Sequence, residues 1–248
     1  MINIKTISEG FEFLVSKYRP DLIGKYQVKN SNKATDSLSP LLFSNQERSI
    51  PLLYWRNERR FKEMRGLTKD GTLVDISAMR SCFISHRNEN INKLLFRELD
   101  LAEWLNDSKI EYIFALQNKN VANLVLHLEN GVICTIEVAS TLAKNAQTID
   151  KHEIIAGKGV AVDKVVDTQV NQNSVYLFSD EELDAYTDTD YELYGLSTEE
   201  VAIVRSAFDT ATTEETRRSY IKQHERLNKL LSVSLESVIT NKRLKAEV

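Results

Sequence analysis

Apolar positions are densest along residues 123–140, NLVLHLENGVICTIEVAS, where two runs rich in Leu, Val and Ile flank Asn130-Gly131. Asn-Gly between apolar runs predicts a β-hairpin, because a type I′ turn needs φ > 0 at both central residues and these residue types tolerate it. With a two-residue loop, Glu129 pairs with Val132, Leu128 with Ile133, His127 with Cys134, Leu126 with Thr135 and Val125 with Ile136. Paired residues share a face, so one face carries Leu124, Leu126, Leu128 and Ile133 and the other Val125, Val132, Cys134, Ile136 and Val138. Both faces are then mostly apolar, and something must cover each.

Around this hairpin the pattern switches between two periods. Residues 7–18 predict a short amphipathic helix through Phe11, Phe13, Leu14 and Tyr18, ended by Pro20, and residues 30–40, rich in Ser, Asn and Lys, read as a mobile loop. Residues 50–55 and 73–84 read as strands on either side of a helix at 59–67 and a turn at Lys69-Asp70-Gly71. Residues 92–105 place Leu94, Leu95, Leu101, Ala102 and Leu105 on one helical stripe, which Asn106-Asp107 ends. Strands follow at 110–116, on both sides of Gly157-Lys158-Gly159 within 152–166, and at 174–178. The acidic stretch 180–192 reads as a solvated loop. Ser197 and Glu200 can form a capping box for a helix over 197–211. A last helix over 214–240 buries Tyr220, Leu227, Leu230, Leu231, Leu235 and Val238, and Asn241 can adopt the left-handed conformation that ends it. The order predicts an α+β fold with a largely antiparallel open β-sheet and helices packed on one face. Residues 1–48 read as an N-terminal extension and 49–248 as the folded domain.

Composition narrows the class. The 248 residues are 42% hydrophobic and 27% charged, ordinary for a globular chain. Net charge is −4, with basic and acidic residues spread throughout, so no tract suits a nucleic-acid backbone. No apolar run reaches the ~18 residues of a membrane span and no signal peptide opens the chain, which points to the cytoplasm. Cys82 and Cys134 lie in apolar, strand-like surroundings without metal-ligand spacing, and read as reduced core thiols.

Four stretches in order carry a resemblance: RELDLAEWL (97–105), LENGVICTIEVAS (128–140), HEIIAGKGVAVD (152–163) and LNKLLSVSLESVITNKRL (227–244). Together they resemble the C-terminal domain of the glucose-fructose oxidoreductase, inositol dehydrogenase and MocA family (Gfo/Idh/MocA). The resemblance implies relationship to NAD(P)-dependent dehydrogenases of sugars, cyclitols or their acids, and assembly into a homo-oligomer through the sheet face.

The departures from the family matter as much. Complete members begin with a Rossmann domain whose G-x-G-x-x-G turn brings the pyrophosphate to a helix N-terminus. No such motif precedes residue 49, and Gly157-Lys158-Gly159 sits between strands. The family's Glu-Lys-Pro is also missing. Aligning Asp100 with the family's Asp puts Arg97 at the catalytic His and Lys93 where an upstream Asp often lies. Arginine stays charged, so the usual proton transfer is lost. Arg97 and Lys93, one helical turn apart, could hold an anion, or could simply pair with Glu98 and Glu89. Arg97, Lys93, Asp100 and loop-borne His86 are the candidate substrate-binding residues. His127 reads as a buried strand residue, and His152 and His224 have no partner at useful spacing.

Two readings of function follow. In one, the chain is a non-catalytic ligand-binding or oligomerisation module, inactive alone and without a cofactor. In the other, it is the substrate-domain subunit of an oxidoreductase whose NAD(P)-binding domain lies on another chain, such as a full-length homologue. A small sugar or acid is the expected ligand class in either case.

Overall fold

In a computed structural model, residues 3–29, 38, 41–44, 49–87, 89–163, 174–179, 183–187, 190 and 192–247 are described. The chain divides into two compact units, Met1–Arg59 with Thr189–Arg226, and Arg60–Asp188 with Leu227–Val248.

The first unit holds helix α1 (Ile4–Tyr18), a three-stranded antiparallel sheet of β1 (Tyr26–Lys29), β2 (Leu41–Ser44) and β3 (Ser49–Pro51), and helix α4 (Thr198–Thr212). Asn3 caps α1 by accepting from the Lys5 and Thr6 amides. The expected Ser197–Glu200 capping box starts α4, with both of its hydrogen bonds present. Ile7, Phe11, Leu14 and Val15 form the buried stripe of α1. At Gly10 a Cβ would come within 3.2 Å of Val204 on α4, so the absence of a side chain lets the two helices meet. The strand expected over 50–55 stops at Pro51, on the edge strand, and continues as a 3₁₀ turn, Tyr54–Asn57. The loop expected at 30–40 lies outside the described residues except Leu38.

The second unit is built on helices α2 (Arg59–Lys69) and α3 (Ile91–Leu105) and a nine-stranded sheet. Its strands are β4 (Ile76–His86), β5 (Ile110–Gln117), β6 (Val121–Leu128), β7 (Ile133–Leu142), β8 (Ile149–Ala156), β9 (Gly159–Val162), β10 (Ser174–Ser179), β11 (Leu183–Thr187) and β12 (Leu244–Lys245). The order is β11-β10-β9-β8-β4-β7-β6-β5-β12, and every neighbouring pair is antiparallel except β4 with β7. This is the expected α+β fold, a largely antiparallel open sheet with α3 lying on the face of β4, β6 and β7. The stretch 180–192, expected as a loop, instead contributes β11, which pairs with β10 over Ser174–Phe178. Its alternating Leu183 and Ala185 fit a strand, and the acidic neighbours masked that signal.

The hairpin register differs from expectation by one residue. The Leu128 amide bonds to the Val132 carbonyl and the Gly131 amide to that of Leu128, both at 2.9 Å, so the loop has three residues, Glu129, Asn130 and Gly131. Only Gly131 has positive φ (87°), which is the left-handed residue after a type I turn, not the double requirement of type I′. Asn130 Oδ1 accepts from the Val132 amide and fixes the exit. The pairs are therefore His127–Ile133, Leu126–Cys134, Val125–Thr135 and Leu124–Ile136. A one-residue slip moves a whole set of side chains to the other face. Leu124, Leu126, Leu128, Val132, Cys134, Ile136 and Val138 all lie on one buried face, while Asn123, Val125, Ile133, Thr135 and Glu137 are exposed on the other. The two apolar faces expected from the sequence are one apolar and one mixed face.

Helix α5 (Glu214–Thr240) ends as expected at Asn241, with φ 52°. Its buried stripe is not the expected one at the C-terminal end, where Leu235 is 38% exposed and Ser234 and Ser237 are buried. Ser237 Oγ accepts from the Ala115 amide of β5 at 3.0 Å and donates to the Lys242 carbonyl. A polar side chain is thus selected there because it satisfies an N–H of a strand that β12 covers only in part.

Candidate functional site

Helix α3 carries charge on its buried side: Arg97 is 6% exposed, Glu103 3%, and Glu98 and Asp100 0%. Buried charges persist only when paired, and Arg97 and Glu98 are paired by the neighbouring strand. Period-two alternation on β8 turns Asp150, His152 and Ile154 to the helix side, and antiparallel pairing sets His152 beside Ser81 of β4. Turning the chain between Ala156 and Gly159 then brings Asp163, just past β9, back to His152. Arg60 and Phe61 enter from the first turn of α2.

The resulting network is continuous. His152 Nδ1 lies 2.7 Å from Asp163 Oδ2 and Nε2 lies 2.8 Å from Glu98 Oε2. Asp163 also accepts the His152 amide at 2.6 Å and Arg60 Nη1 at 3.0 Å. Ser81 Oγ donates to Glu98 Oε2 at 2.6 Å, and Glu98 Oε1 sits 3.2 Å from Arg97 Nη1. The Arg97 fork grips Asp150, with Nη1 to Oδ1 at 3.2 Å and Nη2 to Oδ2 at 2.9 Å, and Arg60 Nη2 reaches Oδ2 at 2.5 Å. Aromatic rings wall it in. Phe61 meets the imidazole edge-on at 4.7 Å, and the Arg97 guanidinium lies 5.3 Å from the Phe61 ring and 4.5 Å from that of Phe83.

Both imidazole nitrogens face carboxylate oxygens, so both must donate, and only the imidazolium can do that. Burial alone would push the His152 pKa down, but Asp163 and Glu98 outweigh it and raise it to about 10. Burial likewise opposes the charge on Glu98 and Asp150. His152 and Arg97 nevertheless hold Glu98 below its ordinary value, and Arg60, Arg97 and His152 hold Asp150 well below it. The network thus sets Arg60, Arg97 and imidazolium His152 against Glu98, Asp150 and Asp163, and is neutral as a whole.

Glu98, Asp150 and His152 bring ligand-type atoms within 4.8 Å of one another, the spacing of a metal site. The chemistry does not fit one. An imidazolium offers no lone pair, and the Asp150 oxygens are already taken by Arg97 and Arg60. A dinucleotide fits no better among the described residues. Gly157 and Gly159 form a β8–β9 turn with no helix after it, so no helix N-terminus faces a pyrophosphate there.

Of the residues singled out in the sequence, Arg97 lies in this network. Asp100 is fully buried one turn further along α3, and Lys93 is half-buried one turn earlier. His86 ends β4 with Nε2 2.8 Å from the Ala146 carbonyl. His127 is not opposite Cys134 but opposite Ile133, half-buried, with Nδ1 3.1 Å from Glu111. His152, expected to lack partners, has two carboxylates at hydrogen-bond distance. The signal was available. A hairpin about Gly157-Lys158 sets His152 opposite Asp163, at the two ends of HEIIAGKGVAVD, and β-alternation puts Asp150 on the same face.

A concavity of about 320 Å³ lies on the open face of the sheet, lined by Arg80, Cys82, Asn123, Glu137, Lys151 and Glu153 among others. Its charges pair internally, with Lys151 Nζ 2.5 Å and Arg80 Nη1 3.8 Å from Glu153. Burial first, and then Glu137, raise the Cys82 pKa, so its thiol stays protonated.

No family model matches the sequence, and neither does any curated protein. Solved structures do share the fold. Levoglucosan dehydrogenase in complex with NADH and levoglucosan is 10% identical, with a TM-score of 0.63 over 79% of this chain and 65% of that one. An inositol dehydrogenase homologue from Azotobacter vinelandii, complexed with NADH and myo-inositol, is 11% identical with a TM-score of 0.61 over 78% and 63%. An oxidoreductase from Pseudomonas syringae is 11% identical with a TM-score of 0.62 over 79% and 63%. This chain therefore spans less than two thirds of the length of each. No described helix is long and apolar enough to cross a membrane.

Proposed function

From a fold shared with oxidoreductases of the Gfo/Idh/MocA type, we propose that this chain is a non-catalytic relative that serves as a ligand-binding or oligomer-forming module. One observation carries the reading. The residue at the resemblance's catalytic-histidine position is Arg97, and its guanidinium is engaged by Asp150 and Glu98 inside a neutral, buried network. Arginine cannot exchange a proton at ordinary pH, and His152, the nearby group of the right type, is held as an imidazolium. Titration calorimetry with NADH and NADPH is expected to give no saturable binding in the micromolar range. Assays with myo-inositol and levoglucosan are expected to give no turnover. Turnover that Arg97→Ala abolishes would overturn the proposal.

A second reading rests on the fold shared with structures that hold NADH together with levoglucosan or myo-inositol. In it, the chain supplies a substrate domain to a partner that carries the NAD(P)-binding domain. Activity that arises only on mixing with a complete dehydrogenase of the Gfo/Idh/MocA type would select this reading over the first.

Assembly belongs to either reading. Val125 is 47% exposed, Ile133 40% and Ile149 40%, all on the sheet face away from α3, where a second copy would cover them. Light scattering is expected to show a dimer for the wild type, and monomers with an unchanged circular dichroism spectrum for Val125→Lys. A monomeric wild type at micromolar concentration would remove oligomerisation from the proposal.

A further inference from the structure

We propose that Arg60 and Arg97 form a binding clamp for a small carboxylate, and that in this chain the clamp is closed by the carboxylate of Asp150. The geometry is that of ligand recognition. One guanidinium fork takes both carboxylate oxygens, at 3.2 and 2.9 Å, and a second guanidinium takes one of them again at 2.5 Å. Formate or acetate presents the same two oxygens at the same separation, and bidentate contact with arginine is the strongest form of carboxylate recognition.

Three observations make Asp150 the plug and the other acids the walls. The first is the division of hydrogen bonds. Glu98 accepts from Ser81 and His152, and Asp163 accepts from the His152 ring, the His152 amide and Arg60. Among the described residues, the hydrogen bonds of the Asp150 side chain all go to the two arginines, and its contact with the His152 ring is a longer 3.7 Å.

The second is access. Side-chain exposure is 22% for Asp150, 15% for Arg60 and 7% for Arg97, but 0% for Glu98, His152 and Asp163, so the network opens to solvent where the clamp is. Asp150 is the second residue of β8, directly after a largely exposed turn, residues 143–148, held by His86 Nε2 to the Ala146 carbonyl.

The third is charge. Removing Asp150 takes one negative charge from beside Arg60, Arg97 and His152 in a mostly buried site. Removing one partner from a buried charge cluster is strongly unfavourable, so an external anion is drawn to the same place. The second cation of the site is Arg60, from α2, in place of the Lys93 that helical spacing suggested.

The test uses the full chain with Asp150→Ala, followed by thermal unfolding in formate, acetate, chloride at equal ionic strength, and formamide as the neutral isostere. The variant is expected to melt below the wild type. Formate and acetate in the tens of millimolar are expected to raise its melting temperature by several degrees, with chloride and formamide leaving it unchanged. Adding Arg97→Ala to the variant is expected to remove the response, and the plugged wild type is expected to show none. Equal effects of formate and chloride on Asp150→Ala would overturn the proposal, leaving the ion pairs purely structural. Should Asp150→Ala not fold unaided, refolding yield gives the same reading: recovery in formate but not in chloride supports the clamp, and recovery in neither overturns it.

Discussion

Replacement of His152 by alanine is expected to destabilise the second unit by about 3–5 kcal/mol, the range for removing one partner of a buried, hydrogen-bonded ion pair. The side chain is fully buried between Glu98 and Asp163, and its loss takes from each of these two buried carboxylates an imidazolium N–H and the positive charge between them. Urea denaturation followed by circular dichroism measures it, and a loss below about 1 kcal/mol would mean that the network contributes little beyond its packing.

The same residue sets a pH signature. In the unfolded chain a histidine loses its proton near pH 6.5, whereas folded His152 keeps its own up to about 10. A raised pKa stabilises fully below the unfolded value and is lost as pH rises through the folded one. Wild-type stability is therefore expected to fall between pH 6.5 and 9, with a limiting slope of roughly 1.4 kcal/mol per pH unit for one proton. Glu98 and Asp150 act in the opposite sense. Their pKa values are held below the ordinary carboxylate range, so their contribution is present above about pH 4.5 and fades as the pH drops. His224, whose pKa burial lowers, also contributes less below pH 6.5. Maximum stability is expected on the slightly acidic side of neutral, and His152→Ala should flatten the alkaline limb. An alkaline limb unchanged in the variant would assign it to another group.

The second large effect discriminates the hairpin register. Under a two-residue loop Leu126 and Ile136 fall on opposite faces, so lysine at one position would unfold the domain and at the other would only disturb a surface. In the three-residue loop both point inward, at 0% and 2% exposure. Leu126→Lys and Ile136→Lys are both expected to lose the cooperative unfolding transition, since each buries an ammonium group without a partner. Val125→Lys, on the exposed side of the neighbouring pair, is expected to cost less than about 1 kcal/mol. A folded Ile136→Lys protein would restore the two-residue register.

Local sequence rules determined much of this protein. Alternation, helical stripes and end signals placed α1, α2, α3, α4 and α5 and most strands of the large sheet, because each of those elements buries one apolar face or stripe and carries its own stop signal. The Ser197–Glu200 box and the Asn241 terminus are legible for the same reason, since all the atoms involved lie within a turn of chain. The hairpin shows where local information ends. Asn130-Gly131 announces a turn, yet whether one or both residues take positive φ depends on the flanking hydrogen bonds, and that choice decides which side chains face the core. The charge network lies beyond the reach of spacing rules altogether. Arg60, Arg97, Glu98, Asp150, His152 and Asp163 come from α2, α3, β8 and the end of β9, up to 103 positions apart. Read singly, each resembles a surface charge or an unpartnered histidine. Only tertiary packing takes them out of water together, and it is this removal that turns them into strong pairs, fixes the proton on His152 and leaves Arg97 bound to the chain's own carboxylates.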